Sequence, residues 1–407
     1  MANINLTPDM ITRESLRILH QKLNFCTNIV TEYDDSFANE GGKIGNTMRI
    51  RQPIQYATST AATMPTGTGA DSIGVSTTIT IDKQRYVPIR FTTEELTLDI
   101  EDFSRRHVEP AMAKLAAKVE ADVLGVATDG CAGALCTTIG TCAFSDVMDG
   151  RKELMDKLAP LDNRYAIMDT QGNADLVNNN KSLFQDQAQI SSQYKEGRMG
   201  RFGSFDFYEN TLIPKHTAGT AVATYLVDGA AQTKTLSASD SDPMNGTLTV
   251  KTGTKLMAAG EIVTLVGCND VHPETKESTG VLKRFVVTAA PGATATTLNI
   301  SPAIISSGPH QNCSASPTDG GAVTTIGVAG TVYNQSLLFQ KGFMAMATAD
   351  LAMPNGVDMS SRQNYDGLSL RLIRDYDINK DRILTRIDIL YGKKVLRPDL
   401  GRRVLHT

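Results

Sequence analysis

The sequence predicts an α+β chain organised around one long helix. Three observations carry this: a one-faced apolar period between residues 110 and 128, strand-like alternation on both sides of it, and an abrupt change to short β-runs between residues 217 and 330. In the helix, Met112, Leu115, Val119, Val123 and Val126 recur at three- and four-residue steps, whereas Lys114, Lys118, Glu120 and Asp122 fall outside that stripe. Thr92 and Glu95 have the spacing of a capping box, and Pro110 stands where a first helical turn tolerates a missing N–H. Gly130 is expected to end the helix in a left-handed conformation. Such a helix is roughly 28 Å long at about 1.5 Å per residue, and it reads as a spine with sheets laid against it.

The elements before the spine look incomplete on their own. A helix is expected over residues 8–23, opened by Thr7 and Pro8, with Ile11, Leu16, Leu19 and Leu23 near one face. One short helix cannot bury its own stripe, so residues 1–41 read as an arm lying on another surface. Met48, Ile50 and Gln52 then begin one extended run, and Ile79, Ile81, Val87, Ile89 and Phe91 alternate along a second. The Thr-, Ala-, Gly- and Ser-rich stretch 57–76 joins them, giving a projecting hairpin that would be marginal without a neighbouring subunit.

After the spine, residues 146–158 read as a helix, 164–168 as a buried strand, 173–177 as a short helix, and Phe205, Phe207 and Leu212 as a further strand. Short β-runs at 225–227, 247–250, 261–266, 282–288 and 296–300 describe a small barrel or sandwich. Mixed α/β sequence is expected to resume over 334–351, which makes the β-rich stretch an insertion. A final hairpin places Leu368, Leu370 and Leu372 on one face and Ile383, Ile387, Ile389 and Tyr391 on the returning strand, with the turn at residues 377–381. It is expected to pack on the spine.

At 407 residues the chain exceeds one ordinary core, and two or three compact units are expected. Its 41% hydrophobic and 21% charged residues are those of a folded protein rather than a disordered one. A net charge of −4 supplies no field for sequence-reading contact with nucleic acid. Cys26, Cys131, Cys136, Cys142, Cys268 and Cys313 are scattered, and the opening Met-Ala-Asn-Ile carries no signal-peptide pattern, so free thiols in a reducing cytoplasm are expected. No apolar run reaches the roughly 18 residues of a membrane span, and no membrane contact is expected.

Motifs that would carry chemistry are incomplete. Asp375, Asp377, Asn379 and Asp381 follow the first half of a calcium loop, but Lys380 stands where glycine is needed and Arg386 where a bidentate glutamate is required. A charged hairpin turn is the simpler reading. Cys268, His272, His310 and Cys313 could supply four zinc ligands from two loops, although the pairs lie far apart in sequence. Cys131, Cys136 and Cys142 lack ferredoxin spacing, and Gly197, Gly200 and Gly203 read as a loop rather than a dinucleotide turn. His20, His107, His216, His272, His310 and His406 lie in no catalytic motif. No catalytic, cofactor-binding or metal residue is therefore assigned, and an enzyme is not expected.

Lys43-Ile44-Gly45-Asn46-Thr47 with Arg49, Arg51 and Pro53 opens the hairpin, Pro110-Ala111-Met112 with Leu115-Ala116 opens the spine, and Arg386-Ile387-Asp388-Ile389-Leu390-Tyr391-Gly392 with Leu396-Arg397-Pro398 closes the chain. In this order the pieces resemble the major capsid (coat) proteins of tailed bacteriophages with the Hong Kong 97 phage-type fold, and more closely the branch containing the coat proteins of short-tailed Salmonella phages. The resemblance implies an N-terminal arm at 1–41, an extended β-hairpin loop at 42–91, and a peripheral domain with the spine helix at 92–142 and 361–407. It further implies an axial domain at 143–216 and 331–360 and an inserted β-barrel-like domain at 217–330. It implies a structural protein that self-assembles as hexamers and pentamers into an icosahedral shell around double-stranded DNA, touching that DNA without sequence preference. Scaffolding, portal and decoration proteins would be its partners, the host bacterial cytoplasm its place of assembly and the virion its destination. Some relatives cross-link subunits through Lys and Asn; no matching motif is present, and no covalent link between subunits is expected. The competing readings are a phage tail or baseplate structural protein, and a β-rich surface protein whose 217–330 region holds a glycan.

Overall fold

The structure, a computed structural model, describes residues 8–34, 47–56, 74–92, 108–135, 141–180, 200–220, 224–237, 240–251, 253, 256–292, 295–365 and 367–407. Glu95 of the expected capping box, most of the hairpin tip, Lys43 to Asn46, His107, Cys136 and Gly197 lie outside these residues.

From the N-terminal side, α1 (Pro8–Lys22) and a 3-10 turn at Cys26–Asn28 lead into β1 (Val30–Asp34). β2 (Thr47–Arg51) and the long β3 (Ser76–Thr92) precede the spine, α2 (Glu109–Asp129). Next come β4 (Gly133–Leu135), α3 (Phe144–Asp156), β5 (Arg164–Met168), α4 (Thr170–Asn180), β6 (Arg201–Phe202), β7 (Phe205–Glu209) and β8 (His216–Thr217). Six strands follow: β9 (Leu226–Val227), β10 (Gly246–Lys251), β11 (Ile262–Val271), β12 (Ser278–Val287), β13 (Thr297–Ser301) and β14 (Val323–Thr325). The chain continues through β15 (Val332–Gln340), β16 (Met344–Ala349), β17 (Met359–Tyr365), β18 (Leu368–Asp377), β19 (Arg382–Val395) and β20 (Gly401–His406). It divides into two compact units, one of residues 1–48, 79–124 and 344–394, the other of residues 49–78, 125–343 and 395–407.

In the first unit a sheet runs β1-β16-β19-β18-β17, with β3 also paired to β19. The alternation read in the sequence is what builds it: Leu368, Leu370, Leu372, Ile387, Ile389 and Tyr391 are all buried. Two expectations are corrected here. β3 does not need a neighbouring subunit to be paired, because it zips antiparallel onto β19 from Ile81 opposite Gly392 to Thr92 opposite Arg382. The stripe of α1 is covered within the chain: the helix packs on β17 and β18, and Leu16, Leu19 and Leu23 are buried. The His20 ring also meets Tyr365 edge-on at 5.3 Å.

The spine buries Met112, Leu115, Val119 and Val123 as its period predicts, with Ala116, Leu124 and Ala127 widening the stripe while Val126 stays half-buried. Its alanine-rich sequence favours helix at little entropic cost. Glu120, placed by the sequence outside the apolar stripe, is instead buried, and its carboxylate accepts the backbone N–H of Phe25 at 2.8 Å and of Asn24 at 3.3 Å. The final hairpin meets the spine through Tyr391, whose hydroxyl donates to Asp122 Oδ2 at 2.9 Å. Gly130 is not left-handed. A Cβ there would lie 2.5 Å from Val395 Cγ2, so glycine is required by close packing rather than by a turn.

In the second unit a sheet runs β4-β20-β15-β5-β7-β6, with β8 on β15. β4 and β20 were expected to lie with the spine in a separate domain, but β20 pairs antiparallel with β15 and parallel with β4. The stretch 334–351 is not mixed α/β: it is β15 and β16 joined by a 3-10 turn at Lys341–Phe343, because its continuous apolar run suits strands covered on both faces. The supposed Gly-rich loop is a tight hairpin between β6 and β7, with Gly203 at φ 55° and Ser204 at φ 70°, the two positive values a type I′ turn needs. Between β8 and β15 the remaining strands run β14-β11-β12-β13-β10-β9. The Leu226–Ala322 bridge and the hydrogen bonds Val227 N to Gly321 O (2.8 Å) and Val323 N to Tyr225 O (2.9 Å) join the two edges, so the sheet closes as a small barrel. Tyr225, Leu248, Val263, Phe285 and Leu298 fill it.

Candidate functional site

Within the second unit, a cleft of about 370 Å³ lies between α3, β11, β12 and the turn before β20. Glu153 and Lys157, four residues apart, stand at its helical side. Lys157 Nζ donates to Asp270 Oδ1 at 2.6 Å and to Val271 O at 3.3 Å. Lys283 Nζ, only 4% exposed, lies 3.3 Å from the same Asp270 oxygen and 3.8 Å from Asp399 Oδ1. Glu153 accepts Arg284 Nη1 at 2.8 Å and faces Arg402 Nε at 2.6 Å. The arrangement is a clasp that ties the barrel to α3 and to the chain leading into β20.

Electrostatics decide what the clasp does. Burial alone would lower the Lys283 ammonium, but Asp399 and Asp270 outweigh it and the group stays charged. Burial raises the Asp399 carboxyl, yet Lys283, Lys157 and Arg402 together hold it down at about 2. A carboxyl depressed in the folded state stabilises above its unfolded value, roughly 3.9, and that contribution is lost as pH falls from there towards about 2. The Asp399 side chain is 43% exposed, so solvent screening keeps the effect near 1 kcal/mol or below. Asp399→Asn is therefore expected to lower the unfolding midpoint slightly at neutral pH, with the difference shrinking as pH falls below roughly 3.9 and vanishing only below the folded value of about 2. Thermal unfolding followed across that range checks both ends.

The residues singled out by sequence do not converge on chemistry. Cys268 and Cys313 meet inside the barrel core, but His272 Nδ1 accepts the Glu274 and Thr275 amides at 3.2 and 3.3 Å in its own turn. Among the described residues no group of three or more His, Cys, Asp or Glu side chains gathers to hold a metal. In the 377–381 turn, Asp381 accepts the Tyr376 hydroxyl at 2.7 Å and Asp377 pairs with Arg382 at 3.3 Å. Gly200 and Gly203 belong to the β6–β7 hairpin region. His216 is lowered to about 4 by burial and then by Arg403, and His406 is lowered chiefly by burial. Ser336 Oγ lies 3.4 Å from His406 Nε2, but both side chains are buried in the sheet, where no substrate reaches them. The clasp itself was missed: only the Glu153–Lys157 spacing hinted at it, because Asp270, Lys283 and Asp399 look like ordinary surface residues in sequence.

The charges of this cleft bind element to element, as a structural clasp does. A family model described as P22 coat protein, gene protein 5, matches residues 28–404, and the chain belongs to this family. It is thus a phage major capsid (coat) protein, which forms the phage head shell and resides in the virion. The chain is similar to the solved capsid structure of the cyanophage P-SCSP1u, at 12% identity and TM-score 0.48 over 95% of this chain and 88% of that one. It is also similar to Mycobacterium phage Che8, at 11% identity and TM-score 0.46 over 94% and 90%. The CUS-3 coat protein I-domain matches at 29% identity and TM-score 0.21, over 26% of this chain and 97% of that domain. No curated protein matches the chain.

Proposed function

We propose that the chain assembles as hexamers and pentamers into a closed icosahedral shell around double-stranded DNA, in the host cytoplasm and with a scaffolding protein. Residues 1–41 serve as the N-terminal arm and 42–91 as the extended loop over a neighbour. The spine with residues 344–394 forms the peripheral domain, and 143–216 with 331–343 the axial domain, to which we add β4 and β20; residues 344–360, expected with the axial domain, go with the sheet of β18 and β19. Residues 217–330 are the inserted barrel. A portal protein occupies one vertex, decoration proteins attach outside, and contact with packaged DNA is independent of sequence. The protein performs no chemistry of its own, and its working surfaces are interfaces between copies.

The observation that carries this reading is the family match across residues 28–404. Electron microscopy of the expressed chain, with and without its scaffolding partner, is the test. Closed shells are expected; tubes or rings would point to a tail protein, and dispersed monomers in both conditions would reject self-assembly.

A further inference from the structure

The root of the hairpin loop is bolted to the barrel. Val75, just before β3, is buried in a cluster with Leu236 and Ile305, which lie on two loops of the inserted region. Beside it Ser76 Oγ and Ser241 Oγ are 3.0 Å apart, both largely buried. The opposite strand is drawn in as well: Gln52 N donates to Val75 O at 2.9 Å, and Gln52 Nε2 donates to Thr77 Oγ1 at 3.1 Å and Leu396 O at 2.9 Å.

The platform under the root is itself fixed. Ile305 N donates to Asn312 Oδ1 at 3.0 Å, while Ile305 O accepts from Asn312 N at 2.9 Å and Cys313 N at 3.1 Å. The second loop is tied to the first by Lys234 N to Ile304 O at 2.7 Å and Ala303 N to Pro243 O at 2.8 Å. Leu236 and Ile305 stand outside the side chains that fill the barrel. Their burial therefore depends on Val75, and burial of Val75 depends on them.

We propose that the inserted barrel is a strut that positions the root of the loop within its own subunit, with Leu236, Ile305 and Ser241 as the positioning residues. Held between the clasp at α3 and this platform, the barrel fixes where residues 52 and 75–77 leave the second unit. Those positions set where the loop begins, and through that its reach towards a neighbouring copy. The last step rests on the capsid reading; the strut itself does not.

Hydrogen exchange on the unassembled chain separates the two. Leu236→Ala is expected to speed exchange of the Gln52 and Thr77 amides by roughly tenfold or more while leaving Val263 and Phe285 amides in the barrel unchanged. Val75→Ala, which alters the loop side only, is expected to do the same. Unchanged exchange at Gln52 in both variants would overturn the strut, as would equal acceleration throughout the barrel. In assembly reactions the variants are expected to give shells of broadened diameter. Wild-type chain that forms no shell would reject the capsid reading while the exchange result still stands.

Discussion

Replacing Arg403 with methionine is expected to remove a large share of the stability of the second unit. The Arg403 side chain is fully buried; its Nη1 donates to Gln335 Oε1 at 3.0 Å and its Nη2 to Gly260 O. Burial disfavours its charge, and Cys131, Asp129 and Glu261 offset part of that penalty. Removing one member of such a buried ionic group costs about 3–5 kcal/mol, a large share of the roughly 5–15 kcal/mol that holds a domain. Methionine preserves most of the volume, so the deficit is electrostatic. Arg403→Lys keeps the charge but cannot reach both acceptors and is expected to recover only part of it. Asp129 adds a pH signature: burial raises its carboxyl while Arg403 pulls it down. Without Arg403 the carboxyl rises further, so the deficit should shrink as pH falls and Asp129 takes up its proton. Denaturant unfolding followed by tyrosine emission measures this, since the chain has 11 Tyr and no Trp. A loss below about 1 kcal/mol would mean that Arg403 is not the keystone described.

Glu120→Leu is expected to have the next largest effect, and a local one. The carboxylate is the acceptor for two backbone amides at the end of the arm helix, and an unsatisfied buried donor costs about 1–3 kcal/mol. The turn at residues 23–29 should then become open to proteases while the rest of the chain keeps its resistance, and shells should fail to close. Glu120→Gln retains one acceptor oxygen and should fall between. Wild-type resistance in Glu120→Leu would show that α1 is held by Leu16, Leu19 and Leu23 alone.

What could be read from sequence was what depends on neighbours in sequence. The spine period from Met112 to Val123 and the alternation from Leu368 to Tyr391 are local patterns, and both elements stand where the residues put them. Glu120 was misplaced because its partner amides lie 95 and 96 residues away, and no periodicity reports such a bond. Gly130 was assigned to a turn because its contact with Val395 is likewise remote. The segment around β1 has no clean period, since a parallel strand takes its order from the β16 backbone rather than from a solvent-facing alternation. The clasp was hidden for the same reason: Lys157, Asp270, Lys283 and Asp399 gain meaning only when helix, barrel and the final turn are brought together.

The pairing of β1 and β4 also governs how the chain is born. Val30 waits for Ala345 and Gly133 for Arg403, so each strand stays unpaired until a partner far along the chain has been synthesised. The barrel pairs mostly with itself and can fold as soon as it emerges, while β1, β3 and β4 remain as open edges beside it. Exposed edges template pairing with other chains. During synthesis a long interval is therefore expected in which premature association competes with maturation of the monomer, and it closes when β19 and β20 have been made.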